Sequence, residues 1–396
     1  MLTFEMILEA REALAGVARV TPLHPVPKFG KDVYIKAENL QLTGAFKLRG
    51  AYNKIRSLSP EEAARGVIAC SAGNHAQGIA LSAAKLGIRS VICMPAGAPI
   101  SKVEATKGYG AEVVLVPGVY DDAAREAERL CQVEGYTFAH PFNDPLVIAG
   151  QGTIGLEILD QLPEVEQVVV PIGGGGLIGG IARAIKEKKP SCRVIGVQAE
   201  GAASMYRSLQ MGRPKTLTSV RTIADGIAVK RPGDRTFALC REYVDEVVTV
   251  SEDEIASAIL ALMEEQKTVA EGAGAVPVAA CMFGRVPVEG RKTVCVVSGG
   301  NVDVTTLSRV ITKGLSKAGR LVELTTKVAD KPGSLWHMLR VVADSGANII
   351  SINHNREDKE TEVSACVVSM VLETRDQKHV ESLRRELSAR GYLTRN

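Results

Sequence analysis

Val168-Val169-Val170-Pro171-Ile172-Gly173-Gly174-Gly175-Gly176-Leu177 is the stretch of sequence that decides the fold. The apolar run 168–172 is typical of a strand that is buried on both faces, and the residues after it, 177–188, have the pattern of a helix. Glycines between a strand and a helix allow backbone N–H groups to point at an anion, and the helix dipole favours negative charge there. Since one glycine would serve for a tight turn, four in a row predict a phosphate site at Gly173–Gly176.

The same alternation of apolar runs and amphipathic stretches continues on both sides of this motif. Strands are predicted at 67–70, 90–94, 113–116, 168–172, 194–197 and 294–297. Helices are predicted at 74–86, 100–108, 121–133, 177–188, 252–266 and 303–316. This alternation predicts an α/β architecture in which helices cover parallel sheets.

The order of predicted strands and helices changes after Lys313–Arg320, which predicts a second, smaller domain. The order is β-α-β-β-α, with a last strand near Tyr392, which is typical of a ferredoxin-like α+β module. Its elements are predicted at 321–328, 334–345, 347–353, 361–372 and 376–390, with a charged turn at 356–359. We therefore expect a boundary near residue 320, with one domain at 1–320 and the other at 321–396.

Composition excludes several classes of protein. The net charge of +3 over 396 residues is too small and too evenly spread for nucleic-acid binding. No apolar run approaches the ~18 residues of a membrane span, and the chain does not begin with a secretory pattern. The eight cysteines form no C-x-x-C motif, so we expect reduced thiols in a cytoplasmic protein and no zinc site.

Polar residues follow two predicted strands at the edge where ligands of open α/β sheets gather. Ser71-Ala72-Gly73-Asn74-His75-Ala76-Gln77-Gly78 starts a helix, and its hydroxyl, amide and N–H groups suit a carboxylate. Ser298-Gly299-Gly300-Asn301 follows the strand 294–297. A third motif, Gln41–Gly50, holds Lys47 in a turn-rich stretch. Taken singly, these residues are ordinary helix caps and a solvated lysine.

The glycine run also fits a different class of enzyme. Gly174, Gly176 and Gly179 form G-x-G-x-x-G, and Glu200 ends the next strand, as in a dinucleotide fingerprint. A nicotinamide-dependent amino-acid dehydrogenase is therefore an alternative, although it leaves the Lys47 motif unexplained. A non-catalytic amino-acid sensor is the other alternative.

Taken together, the motifs resemble the serine/threonine dehydratase branch of the tryptophan-synthase-like (fold type II) family. The resemblance covers about residues 5–316 and is carried by Phe46-Lys47-Leu48-Arg49-Gly50, by 71–78, by the four glycines with Leu177, and by 298–301. It implies pyridoxal 5′-phosphate as the cofactor. It also implies a large subdomain of about 1–47 and 148–320 and a small subdomain of about 48–147.

The resemblance implies a role for each matching residue. Lys47 corresponds to the lysine that forms a Schiff base with the cofactor and removes the substrate Cα proton. The other cofactor residues implied are Phe46 and Gly226 on the two ring faces, Asn74 at the 3′-oxygen, Ser298 at the ring nitrogen, and Gly173, Gly174, Gly175, Gly176 and Leu177 at the phosphate. Ser71, Gly73, Asn74 and His75 correspond to residues that bind the substrate carboxylate.

The reaction implied is β-elimination of L-threonine to 2-oxobutanoate and ammonia, with L-serine to pyruvate as a side activity. Racemases similar to this group carry a hydroxyl at the position of Ala72, so racemisation is not expected. Some relatives bind a divalent metal near the position of Glu200, but the matching downstream residue is Tyr206, so no metal is carried over. Leu48-Arg49-Gly50 points away from the sulfhydrylase and threonine-synthase branches.

The C-terminal module resembles an ACT domain. Its loop Asp330-Lys331-Pro332-Gly333-Ser334-Leu335 matches that family's ligand-binding turn, so Asp330, Gly333, Ser334 and Leu335 are the regulatory-ligand residues implied. The resemblance implies an amino-acid effector, a role in isoleucine biosynthesis, and a homodimer or homotetramer. An ordinary turn in a dimerisation module is the alternative.

Overall fold

A computed structural model describes residues 2–357, 361–392 and 394–395. The chain divides into two compact units, Met1–Val304 and Thr305–Asn396. The second unit begins before the boundary expected near residue 320, because the helix Val304–Lys317 groups with it from its second residue onwards. None of the helices in the described residues combines the length and apolar character that a membrane span needs.

The secondary structure of the described residues matches the predicted elements of the first unit to within two residues at each end. The helices are α1 Phe4–Leu14, α2 Lys47–Ile55, α3 Pro60–Arg65, α4 Asn74–Lys85, α5 Ile100–Gly108, α6 Tyr120–Glu134, α7 Pro145–Gln161, α8 Gly176–Lys188, α9 Ser204–Met211, α10 Asp234–Tyr243, α11 Glu252–Gln266, α12 Gly272–Met282, α13 Val304–Lys317, α14 Ser334–Asp344 and α15 Gln377–Ala389. The strands are β1 Leu23–Pro25, β2 Val33–Ala37, β3 Val67–Cys70, β4 Ser90–Pro95, β5 Glu112–Val116, β6 Thr137–Phe138, β7 Gln167–Pro171, β8 Arg193–Ala199, β9 Glu246–Val250, β10 Thr293–Val297, β11 Leu321–Ala329, β12 Asn348–Asn355, β13 Ala365–Glu373 and β14 Thr394–Arg395. Short 3₁₀ turns lie at Pro27–Phe29, Glu38–Leu40, Glu200–Ala202 and Asp225–Ile227.

The larger sheet of the first unit has the strand order β1-β2-β10-β7-β8-β9. Strands β2, β10, β7, β8 and β9 pair in parallel, whereas β1 pairs antiparallel with β2. All five residues of β7 are buried, as expected of a strand covered on both faces. The parallel α/β architecture is thus confirmed, with an antiparallel edge strand that the sequence did not indicate.

The smaller sheet, with the order β5-β4-β3-β6, is entirely parallel. Its strands lie inside the range 48–147 that the resemblance implies for a small subdomain. Helix α4 covers it with Ala76, Ile79, Ala80 and Ala83, whose three- and four-residue spacing gives one apolar face. The sheet therefore holds the start of α4, which contains Asn74 and His75, in a fixed place.

The second unit has an antiparallel sheet in the order β12-β13-β11-β14, together with α14 and α15. Residues Cys366, Val368, Met370 and Leu372 alternate along β13 into its core. The β-α-β-β-α order follows the prediction, but β13 begins at Ala365 rather than at 361. Residues 358 and 359 of the predicted charged turn lie outside the described residues.

Candidate active site

A cavity of about 690 Å³ lies in the first unit, at the carboxyl ends of β3, β7 and β10. Every cofactor and substrate residue that the resemblance implies lines it: Phe46, Lys47, Ser71, Gly73, Asn74, His75, Gly173, Gly174, Gly175, Gly176, Leu177, Gly226 and Ser298. The cavity thus combines motifs that are far apart in the sequence. What each residue can do there follows from its own contacts.

Lys47 is the first residue of α2, and backbone contacts hold it beside the end of β10. The Phe46 N–H donates to Ser298 O at 3.1 Å, and Ala45 forms an isolated bridge with Gly299. The Lys47 Nζ donates to Pro141 O at 2.9 Å and lies 5.1 Å from the centre of the Phe46 ring. Burial lowers the pKa of Lys47 to about 8, and the charge of Glu271 partly offsets this effect. A lysine with such a pKa is neutral in part near neutral pH, as a nucleophile or proton acceptor must be.

The glycine run forms a bare backbone turn between β7 and α8. Gly175 has a φ of +94°, which only glycine adopts readily, and a Cβ on Gly174 would lie 2.4 Å from the Phe142 ring. Because α8 begins at Gly176, its first N–H groups have no acceptor within the helix. This donor set at a helix N-terminus fits a phosphate.

Asn74 belongs to a chain of amide and carboxylate groups that the sequence did not predict. Its Oδ1 accepts from Asn301 Nδ2 at 2.9 Å, and its Nδ2 donates to Glu271 Oε1 at 2.8 Å. These two contacts fix which end of the amide is the donor, and leave Nδ2 one hydrogen for the cavity. The arrangement suits a phenolic oxygen such as the one implied for the cofactor.

Glu271 lines the cavity but was not among the site residues predicted from the sequence. It is 4% exposed and precedes α12. Burial, reinforced by the charge of Asp225, raises its pKa to about 7. Its carboxyl group therefore changes ionisation near neutral pH, within the same cavity as the Lys47 amine.

His75 does not present its imidazole as a base. The ring is buried, and its Nε2 hydrogen-bonds to Ala139 O at 2.8 Å. Burial, together with the positive charge of Lys47, lowers the pKa of His75 to about 3, so the ring stays neutral. What His75 can offer a carboxylate is its backbone N–H in the first turn of α4, next to Gly73 and Ser71, where the Gly73 N–H donates to Ser71 Oγ at 3.2 Å.

Arg49, two residues after Lys47, belongs to a network of buried charges, which we call the Arg49 network: Lys36, Glu38, Arg49 and Glu157. The Arg49 guanidinium pairs with Glu38 at 2.8 Å and with Glu157 at 2.5 Å, and Lys36 pairs with Glu157 at 2.6 Å. The Arg49 and Glu38 side chains are 1% and 0% exposed. These ion pairs anchor helix α2 at Arg49, two residues after Lys47. No local signal in the sequence indicated the network.

Comparison with known proteins decides which family this geometry represents. The profile of the family described as pyridoxal-phosphate dependent enzyme matches residues 14–300. The chain belongs to this family. The dehydrogenase alternative is therefore wrong. A Cβ on Gly179 would lie 3.2 Å from Leu239, so close packing explains this glycine without a dinucleotide.

Individual relatives agree with this assignment. An L-threonine ammonia-lyase of Thermotoga maritima is 52% identical over 100% of this chain and 99% of its own length. A catabolic L-threonine dehydratase of Escherichia coli is 48% identical over 77% of this chain and 94% of its own length. The solved structure of a processed threonine deaminase isoform 2 from Solanum lycopersicum has a TM-score of 0.75 at 40% identity, and covers 78% of this chain and 87% of that one. The fold type II prediction is confirmed by this match.

The regulatory residues implied by the ACT resemblance lie in the second unit, on the loop after β11 and in the first turn of α14. Gly333 has a φ of +87° and directly precedes α14, which Ser334 begins and Leu335 continues. Asp330 pairs with Arg356 at 3.0 Å. Effector binding at this loop stays a prediction.

Proposed function

We propose that this chain is a threonine ammonia-lyase, which converts L-threonine into 2-oxobutanoate and ammonia with pyridoxal phosphate as cofactor. The observation that carries the proposal is the meeting of the half-buried Lys47 amine, the glycine run and Ser298 in one cavity. The full-length similarity to an L-threonine ammonia-lyase supports threonine as the substrate.

Each part of the cavity has its own task in this reaction. When bound, the cofactor supplies a conjugated ring that takes up the electron pair released at the substrate Cα. The N–H groups at Gly173–Gly176 hold the phosphate, and Asn74 orients the ring through its remaining Nδ2 hydrogen. The N–H groups of the 73–75 turn receive the substrate carboxylate, which places the Cα of threonine near Lys47.

Lys47 then performs the proton transfer. Its neutral Nζ accepts the Cα proton, and the lowered pKa keeps a fraction of the amine in that form near pH 7. The β-hydroxyl leaves as water with a proton equivalent to the one that Lys47 has accepted, and a second water releases the substrate nitrogen as ammonia. Ser298, 2% exposed at the end of β10, is a neutral group and places no fixed negative charge at the ring nitrogen. This favours elimination of a β-substituent over transamination.

Several finer features belong to the same proposal. L-serine would be a second substrate that gives pyruvate, since it carries the same β-hydroxyl. The second unit would be an ACT domain that binds an amino-acid effector through Asp330, Gly333, Ser334 and Leu335, and the enzyme would serve isoleucine biosynthesis. The β-α-β-β-α order supports the ACT assignment. A homodimer or homotetramer in the cytoplasm also stays a prediction.

The test is direct turnover by the purified chain loaded with pyridoxal phosphate. L-Threonine should give 2-oxobutanoate and ammonia in equal amounts, with a higher kcat/KM than L-serine. The Lys47→Ala variant should be inactive, whereas Lys31→Ala, which removes an exposed lysine, should retain activity. A chain that retains the cofactor but releases no 2-oxo acid from threonine would overturn the proposal.

A further inference from the structure

Three side chains of different chemistry meet in the second unit. An oxygen of Asp330, a ring nitrogen of His354 and the sulfur of Cys366 all lie within 4.8 Å of one another. Their positions in the sequence do not indicate that they lie together, and no zinc site was expected. We call these three residues the Asp-His-Cys cluster.

The antiparallel sheet places the cluster. Strand β11 pairs with β13 so that Ala329 faces Ala365, and β12 pairs with β13 so that Asn355 faces Val367. The Asp330 N–H also donates to Ser364 O at 2.9 Å. Each donor thus lies at or just beyond one end of a hydrogen-bonded strand, on backbone held by the ladder, which is the kind of support that a binding site requires.

The three side chains make contacts similar to those of metal ligands. His354 Nε2 lies 2.9 Å from Cys366 Sγ, which also lies 3.3 Å from Val328 O. Asp330 uses Oδ1 for Arg356 Nε at 3.1 Å. Cys366 is buried, whereas His354 and Asp330 reach the surface. The cluster therefore has a fixed sulfur at its base and two donors that can adjust.

We propose that the Asp-His-Cys cluster binds Zn²⁺ through Cys366 Sγ, His354 Nε2 and a carboxylate oxygen of Asp330. Tetrahedral zinc with bonds of about 2.0–2.3 Å separates its ligand atoms by roughly 3.4–3.6 Å. The His354–Cys366 pair must widen slightly from 2.9 Å, and the most distant pair must close from at most 4.8 Å. Rotation of the two surface side chains supplies such changes of about 1 Å.

The chemistry of the donors selects the metal. A thiolate and an imidazole favour zinc over magnesium or calcium, which prefer oxygen ligands. On binding, the Cys366 thiol releases its proton to solvent, His354 binds as the neutral imidazole, and Asp330 binds as the carboxylate. Two anionic ligands balance the two charges of Zn²⁺. Arg356 keeps its contact with Asp330 and orients that carboxylate from outside the metal site.

A fourth coordination position remains for water or a small ligand. Since His354 and Asp330 are exposed, this position faces solvent, as in zinc sites with three protein ligands. The site lies in a different unit from Lys47 and does not depend on the proposed lyase activity.

The experiment uses the full-length holoenzyme, freed of metal with a chelator, and Co²⁺ as the probe. We expect one Co²⁺ per chain, with the visible d–d absorption of a tetrahedral site that contains sulfur, and its loss when Zn²⁺ displaces the cobalt. His354→Gln changes an exposed side chain and should fold normally, as emission from Trp336 in the same unit can verify. It should weaken binding at least about 10-fold, as should Cys366→Ser.

His24→Gln is the matched control, because His24 is an exposed histidine of the first unit. It carries the same bound cofactor and should bind Co²⁺ like the wild type. The proposal is overturned if the wild type shows no tetrahedral Co²⁺ spectrum, or if His354→Gln and His24→Gln bind the metal equally well.

Discussion

Replacement of Arg49 by methionine tests the Arg49 network next to Lys47 in the chain. The guanidinium makes six hydrogen bonds, to Glu38, Glu157, Thr153 and the carbonyl of Arg19. Burial by itself raises the pKa of Glu38, but the charge and hydrogen bonds of Arg49 hold it below the ordinary value of 4.5. Without Arg49, Glu157 keeps its ion pair with Lys36, whereas Glu38 loses its ion pair and keeps the hydroxyl of Thr21 and the weaker influence of the Lys36 charge.

The magnitude follows from this uncompensated charge. Loss of one partner of a buried ion pair costs about 3–5 kcal/mol, so Arg49→Met should lower the free energy of unfolding by about that amount. Arg49→Lys should be intermediate, because a lysine keeps the charge but has only three donors. Adding Glu38→Gln to Arg49→Met should restore part of the loss, because it removes the buried charge left without a partner.

Urea unfolding followed by far-ultraviolet circular dichroism measures this loss. The only tryptophan, Trp336, lies in the second unit, so its emission reports on the unit that does not contain Arg49. The matched control is Arg89→Met, which removes an arginine from the exposed pair with Glu112 and should leave stability nearly unchanged. If Arg49→Met destabilises the chain no more than Arg89→Met, the reasoning on buried charge is refuted.

Three further predictions concern the cavity. Since burial raises the pKa of Glu271 to about 7, the folded chain keeps a proton that the unfolded chain releases above the ordinary pKa of 4.5. The free energy of unfolding should therefore fall as pH rises from about 4.5 to 7. Glu271→Gln should flatten this slope in thermal melts. Gly175→Ala introduces a Cβ 2.7 Å from Met205 Cε at a φ of +94° and should weaken pyridoxal phosphate binding at least about 10-fold in equilibrium dialysis. The control is Gly87→Ala, which has a φ of +67° and open space around it and should not weaken binding. Ala72→Ser places a hydroxyl in the cavity and should yield D-serine from L-serine on chiral chromatography; no D-serine above the wild-type level would contradict this role.

The elements that the sequence predicted are those with local signals. The glycine run, the buried strand before it and the helix after it are contiguous, and their periods and turn residues identify them. The positions of Lys47, Asn74 and Ser298 in one cavity followed from the rule that strand ends share an edge, combined with the family resemblance. Strands β1 and β6 were not predicted, because two or three residues are too few to show a period, and β2 and β9 were not predicted either.

The missed features depend on contacts between distant residues. The hydrogen bond between Asn74 and Glu271 spans 197 positions, and that between Arg49 and Glu157 spans 108. The residues next to Glu271 in the sequence do not reveal that its carboxyl is buried. His75 was expected at the carboxylate site, but sequence spacing does not show that its ring turns towards Ala139.

The most direct test of the central claim is the site of cofactor attachment. The holoenzyme is reduced with borohydride, digested, and its peptides are analysed by mass spectrometry. Lys102 and Lys230 also line the cavity and serve as internal controls. We predict that the reduced cofactor is found on Lys47 alone, in an amount close to one per chain. A label on Lys102 or Lys230, or a holoenzyme with no covalent label, would contradict the account.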